Sequence, residues 1–179
     1  MKILKKLFSL FLVGFILVGC NSGKSWRTAS RQSAGIAPDP SVTKEAVLHV
    51  YGADTWGWRG WFAIHTWIAA KRTGESSYTV YDVVGWRGYS GQSVMRITKD
   101  IPDRFWFGEK PKLIKEHRGE KVDKLIDAVE NAADVYPWKN TYNAFPGPNS
   151  NTFTAWIAKN VPELELDLPF SALGSGYVN

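Results

Sequence analysis

Three side chains in this sequence have the types from which a nucleophilic reaction is built: a hydroxyl at Ser150, an imidazole at His65 and a carboxylate at Asp82. Ser150 lies in "AFPGPNSNTFTAWIAK", Ala144 to Lys159. There two prolines and a glycine lead into Asn149-Ser150-Asn151-Thr152, and an amphipathic run with Phe153, Trp156 and Ile157 follows. That is how a helix begins. Serine and asparagine are favoured N-caps, so the hydroxyl can serve only to accept a backbone N–H. The same helix end gathers N–H groups and the positive end of the macrodipole, which stabilise a nucleophilic oxyanion or an anionic intermediate. Spacing alone leaves both uses open.

His65 stands between Ile64 and Thr66 in a stretch with no other ionisable group from Gly60 to Ala70. An imidazole in such a strand has to be satisfied, either as a core histidine bonded to backbone or as a working base held by a partner. The following strand offers the partner. If Thr73 and Gly74 are the two central residues of a tight turn, Asp82 falls directly opposite His65. A carboxylate there fixes the tautomer and stabilises the charged ring. A longer loop slips the pairing and sets Tyr81 or Val83 opposite instead.

Two similar stretches, "GWRG" at 57–60 and again at 85–88, set an aromatic face beside a guanidinium, a combination suited to sugars, peptides or carboxylates. Trp58, Arg59 and Trp86 are therefore expected to bind ligand, together with Asn149 and Asn151 on either side of Ser150. Trp67, in mid-strand, is expected in the core. His49, His65 and His117 show no ligand spacing, so neither a metal nor another cofactor is expected.

The elements that must position these groups follow from hydropathy periods. "AVLHVYGA" reads as a strand, Trp61 to Gly85 as an antiparallel hairpin with its turn at Thr73-Gly74, and "SVMRITKD" as a further strand. Pro111 can open a helix carrying Leu113 and Ile114, which Gly119 interrupts; Val122, Leu125, Ile126 and Val129 then recur at helical spacing. Tyr136-Pro137 stops that helix, and a last one runs from about Asn151 to Asn160, before Pro162. Strands first and helices later read as α+β, an antiparallel sheet with helices.

Residues 1–19 form a secretory signal, with Lys2, Lys5 and Lys6 ahead of an apolar run from Leu7 to Val18. Leu17-Val18-Gly19-Cys20 resembles the bacterial lipobox, which implies diacylglycerol on the chain's single cysteine; an ordinary signal or a short membrane anchor is the alternative. An odd cysteine in a secreted chain asks for such a role. Residues 20–44 then read as the lipidated cysteine and a flexible tether, and 45–179 as one globular domain. Removing the signal lowers Lys+Arg from 22 to 19 against 17 Asp+Glu, with no basic cluster, so nucleic acid is not expected as a partner. The expected partners are the membrane, through Cys20, and peptidoglycan or another envelope ligand. The chain is expected as a monomer on the cell membrane or outer membrane, facing the periplasm or exterior.

Two resemblances bear on function. "WGWRGWFAIHTWIAAK", "YDVVGWRG", "PDRFWFG" and "FPGPNSNTFTAWI" resemble a family of uncharacterised bacterial proteins, often lipoproteins, which carries no activity with it. A strand histidine followed by a late helix opening Asn-x-Asn-x-Phe also resembles the circularly permuted papain-like superfamily. That superfamily includes the lecithin:retinol acyltransferase-like proteins and relatives of bacterial cell-wall endopeptidases. Its late helix carries a cysteine nucleophile where this chain has Ser150. The resemblance implies a papain-like fold with Ser150 as nucleophile and His65 as base; Asp82 or another polar group would orient the ring. A serine is harder to ionise than a cysteine, so the departure leaves two outcomes open: a serine-dependent hydrolase or transferase at an amide or acyl bond, or a fold that binds without turnover.

Overall fold

A near-continuous apolar run along Val47–Asp54 makes this strand, β1, buriable on both faces, and the computed structural model, which describes residues 25–178, puts it inside the sheet. β2 (Ile64–Lys71), β3 (Thr79–Val83) and β4 (Met95–Lys99) follow it on one side and β5 (Lys112–Arg118) flanks it on the other, giving the order β4-β3-β2-β1-β5 with every pairing antiparallel. Among the described residues two α-helices complete the set: α1 (Val122–Asp134) and α2 (Ser150–Asn160). The α+β class is as the element order implies. Among the described residues no helix is long and apolar enough to cross a membrane.

Strand side chains alternate between faces, so the sheet has two apolar layers. Leu48, Val50, Ile68, Ala70, Tyr81 and Val83 meet Leu125, Ile126 and Val129 of α1 and Phe153 and Ile157 of α2. Val47, Tyr51, Trp67, Val80 and Val84 occupy the opposite face, with Trp106. Irregular chain rather than helix covers that second face, and part of it is the stretch whose composition predicts a tether. Buried Asp103 holds it: Oδ1 accepts from Ser33 Oγ at 2.8 Å, and Oδ2 from the backbone N–H of Ile36 at 2.6 Å and of Ala37 at 3.1 Å. Tyr78 donates to Pro38 O and Gly74 N to Lys44 O. Residues 30–44 are thus bound to the domain; the signal and Cys20 lie outside the described residues.

Two local expectations are corrected. Leu113 and Ile114 belong to β5 and not to a helix, because the free edge of β1 pairs with them. The outer side of β5 carries Lys, Glu and Arg, as suits an edge strand. In the β2–β3 hairpin the turn at Thr73-Gly74 forms, with Glu75 N donating to Arg72 O at 3.1 Å and Gly74 at φ +76°. Ser76 and Ser77 then lengthen the loop, so Ile68 pairs with Tyr81 and Ala70 with Thr79. The register is shifted by two residues from that of a tight turn, which sets Asp82 diagonal to His65 instead of opposite. A shift of two preserves the face of every side chain, where a shift of one would invert it.

Removing the Asp103 carboxylate strands two backbone N–H groups and a hydroxyl. Asp103→Ala is expected to cost about 3 kcal/mol in urea denaturation and to open the chain to trypsin at Arg31 and Lys44, with Asp103→Asn intermediate.

Candidate functional site

The loops joining β1 to β2 and β3 to β4 lie at one end of the sheet, and each contains one of the two "GWRG" stretches wound into a 3-10 turn, Gly57–Trp61 and Gly85–Ser90. The first turn of α2 comes to the same end. Asn149 is the N-cap: its Oδ1 accepts from Asn151 N at 2.9 Å and Thr152 N at 3.1 Å, while Thr152 Oγ1 accepts from Asn149 N at 3.1 Å. Asn149 Nδ2 donates to Ala144 O and Leu173 O. Gly174, at φ +92°, lets the C-terminal loop lie against this cap, where any Cβ would run into the Asn149 amide.

Asn151 turns the other way. Its Oδ1 accepts from Thr66 Oγ1 at 2.9 Å, and its Nδ2 donates to Ile64 O and Leu173 O, each at 2.9 Å. The two β2 residues it grips are those on either side of His65. Capping and clamping are therefore done by the two asparagines. Ser150 Oγ makes no hydrogen bond among the described residues, yet it is not sealed from solvent, because it faces a cleft of about 1010 Å³. Its backbone N–H is likewise left over, since Asn149 takes those of the next two residues.

His65 lines the same cleft. Its Nε2 lies 2.9 Å from Asp82 Oδ1, and the other carboxylate oxygen accepts from Arg104 Nη2 at 2.6 Å. The ring stacks on Trp106, with centroids 3.6 Å apart and planes 6° from parallel. An ionised carboxylate only accepts, so Nε2 carries a proton, and in the neutral ring Nδ1 then keeps its lone pair. Nδ1 has no protein partner among the described residues, and the ring borders both this cleft and a smaller cavity of about 230 Å³ beside Tyr89 and Tyr142. Burial pushes the Asp82 carboxyl up, but His65, Arg104 and Arg96 together outweigh burial and hold it below its ordinary value. A depressed carboxyl contributes stability that is complete above the unfolded value near 4 and is lost as pH falls through the lower folded value.

The structure thus joins His65 to Asp82 and brings Ser150 to the same cleft, but among the described residues no hydrogen bond links Ser150 Oγ to the ring. His65 points to the Trp106 face of the sheet while its neighbour Thr66 points to α2. Ser150 therefore reaches the cleft around the start of β2. Trp58, Arg59, Trp86, Asn149 and Asn151, the residues expected to bind ligand, all line it. Sequence reasoning missed Arg104 and Trp106, although "PDRFWFG" contains both, and also Tyr142, Trp26 and Arg31 in the cleft wall. Tyr142 packs on the bare α-carbon of Gly85, where a Cβ would come within 2.5 Å of its ring. His49 and His117 are engaged elsewhere, with Tyr51 and with Leu164 O.

A family model described as "Protein of unknown function (DUF3750)" matches residues 45–177. The chain belongs to this family. The DUF3750 span contains all five strands, both helices, and Ser150, His65, Asp82, Arg104 and Trp106, whereas Trp26 and Arg31 enter the cleft from outside it. No curated protein and no solved structure matches the chain.

The division of labour at the helix start gives opposite expectations for adjacent residues. Asn149→Ala should lower stability by about 2 kcal/mol, whereas Ser150→Ala should change it by no more than about 0.5 kcal/mol, as read by thermal or urea unfolding.

Proposed function

We propose that this DUF3750 chain is a cell-envelope protein that hydrolyses or transfers an acyl or amide group, with Ser150 as nucleophile and His65, oriented by Asp82, as base. One observation carries the reading. Where three adjacent residues could each cap the helix, the serine hydroxyl alone is left without a hydrogen bond among the described residues, and it faces a cleft that His65, with its unpartnered Nδ1, also lines. In the reaction Ser150 Oγ bonds to the acyl carbon as its proton passes to His65 Nδ1. The charge that develops on the carbonyl oxygen meets the unengaged Ser150 N–H at the positive end of α2. His65 returns the proton to the departing amine or alcohol, and water, deprotonated by the same ring, then releases the acyl group.

A permuted papain-like relationship is consistent with this arrangement, since a strand histidine and a nucleophile at a helix N-terminus are its defining parts. The envelope location rests on the lipobox resemblance at Cys20, and peptidoglycan peptides are the most available amide substrates there. The second reading, a lipoprotein that binds in this cleft without turnover, is favoured by the missing Ser150–His65 hydrogen bond.

Thiol chemistry separates the two. In a chain starting at Asn21, which has no cysteine, Ser150→Cys should react with iodoacetamide at pH 7 about tenfold faster than a free thiol, and adding His65→Gln should return it to the free-thiol rate. A rate that is ordinary with or without His65 would leave only the binding reading.

A further inference from the structure

The chain's eight arginines divide into two sets. Arg72 pairs with Asp127 and Glu130, Arg96 with Asp100, Arg104 with Asp82 and Arg118 with Glu45. Arg27, Arg31, Arg59 and Arg87 have no carboxylate partner among the described residues. All four lie in the segments at the cleft end, residues 25–32, 55–63 and 85–93, and neither these nor residues 141–149 contain an Asp or Glu. Three of the four stack on aromatic rings instead: Arg27 on Trp26 at 5.2 Å, Arg31 on Phe107 at 4.4 Å and Arg59 on Trp58 at 5.7 Å.

The same segments expose large aromatic side chains. Trp61 is 90% exposed, Tyr89 95% and Trp58 65%, with Trp26, Trp86 and Phe145 also open to solvent. A freely solvated surface rarely gathers that much aromatic area, and its presence marks a partner. Tryptophan and tyrosine favour the headgroup level of a bilayer, where an apolar ring meets polar neighbours. Guanidinium groups without internal carboxylates suit lipid phosphates. The chain also arrives at this end, since Trp26 and Arg31 line the cleft. Cys20 is six residues before Trp26, at most about 22 Å of extended backbone.

We propose that this end of the molecule seats on an anionic bilayer, with the cleft mouth turned toward the lipid. The ligand of the cleft is then an amphiphile taken from that interface, its apolar part among the tryptophans and its anionic part near Arg31 and Arg59. The ligand assignment rests on the Ser150–His65 reading; the docking does not.

The test uses the unlipidated chain from Asn21, which retains every described residue. It should float with vesicles of equal parts phosphatidylcholine and phosphatidylglycerol, with a blue shift of tryptophan fluorescence, and bind phosphatidylcholine alone far less. Trp61, 90% exposed, lines neither the cleft nor any cavity shared with His65, so Trp61→Ser should weaken binding by about tenfold without touching the site. Arg27→Gln with Arg87→Gln should weaken binding to the anionic vesicles by roughly fivefold per arginine. Val42→Ser should bind as the unaltered chain does, because Val42 is exposed next to Lys44, which holds the turn at the other end of the sheet. Ser150→Ala should also bind normally, so docking and catalysis can fail separately. No flotation with anionic vesicles, equal binding to both compositions, or rim substitutions that alter only self-association in sedimentation would each overturn the proposal.

Discussion

The side-chain amide of Asn151 is the joint on which the candidate site depends. It is bonded at once to Thr66 and Ile64 in β2 and to Leu173 in the C-terminal loop. Each such bond is worth only about 0.5–1.5 kcal/mol net, but a buried amide that loses its partners costs more than it gained, so the three constrain one another. Their positions matter more than their sum. By gripping the residues before and after His65, Asn151 fixes the histidine relative to the first turn of α2. Its neighbour Asn149 has meanwhile taken over the cap, and Ser150 is released from both tasks.

Behind the cleft, an electrostatic balance holds the imidazole. Asp82 is wholly buried, which by itself disfavours its charge, and it keeps that charge because His65 and Arg104 each engage one carboxylate oxygen. Trp106 stacks on the ring from one side, so orientation is set by both a hydrogen bond and a flat packing contact. Arg104 and Trp106 come from the same loop as Asp103, the residue that binds residues 33–37. The covering of the second sheet face and the orientation of His65 are therefore parts of one structure.

How far the sequence could be read depended on which physical quantity carried each feature. The nearness of His65 and Asp82 was legible although the register was not, because parity along a strand survives a two-residue shift in the hairpin. α1 was legible from the spacing of Val122, Leu125, Ile126 and Val129, all buried in the helix layer. β5 was not, since "KLIKEHR" is half exposed and becomes a strand only through the edge that β1 offers. Residues 30–44 looked like a tether because composition counts large apolar side chains. Their attachment runs mainly through backbone groups, two of them N–H groups bonded to the Asp103 carboxylate. Three consecutive residues able to cap a helix could not be told apart by type; only their partners in β2 and the C-terminal loop distinguish the cap, the clamp and the free hydroxyl.

The central claim is that Ser150 is a hydroxyl kept free for chemistry with His65, and labelling with a fluorophosphonate tests it most directly. Mass spectrometry of digests should find the phosphonyl adduct on the peptide containing Ser150 in the unaltered chain, and the adduct should vanish in His65→Gln while the melting temperature changes little. An unmodified Ser150, or an adduct that forms at the same rate without His65, would contradict the account.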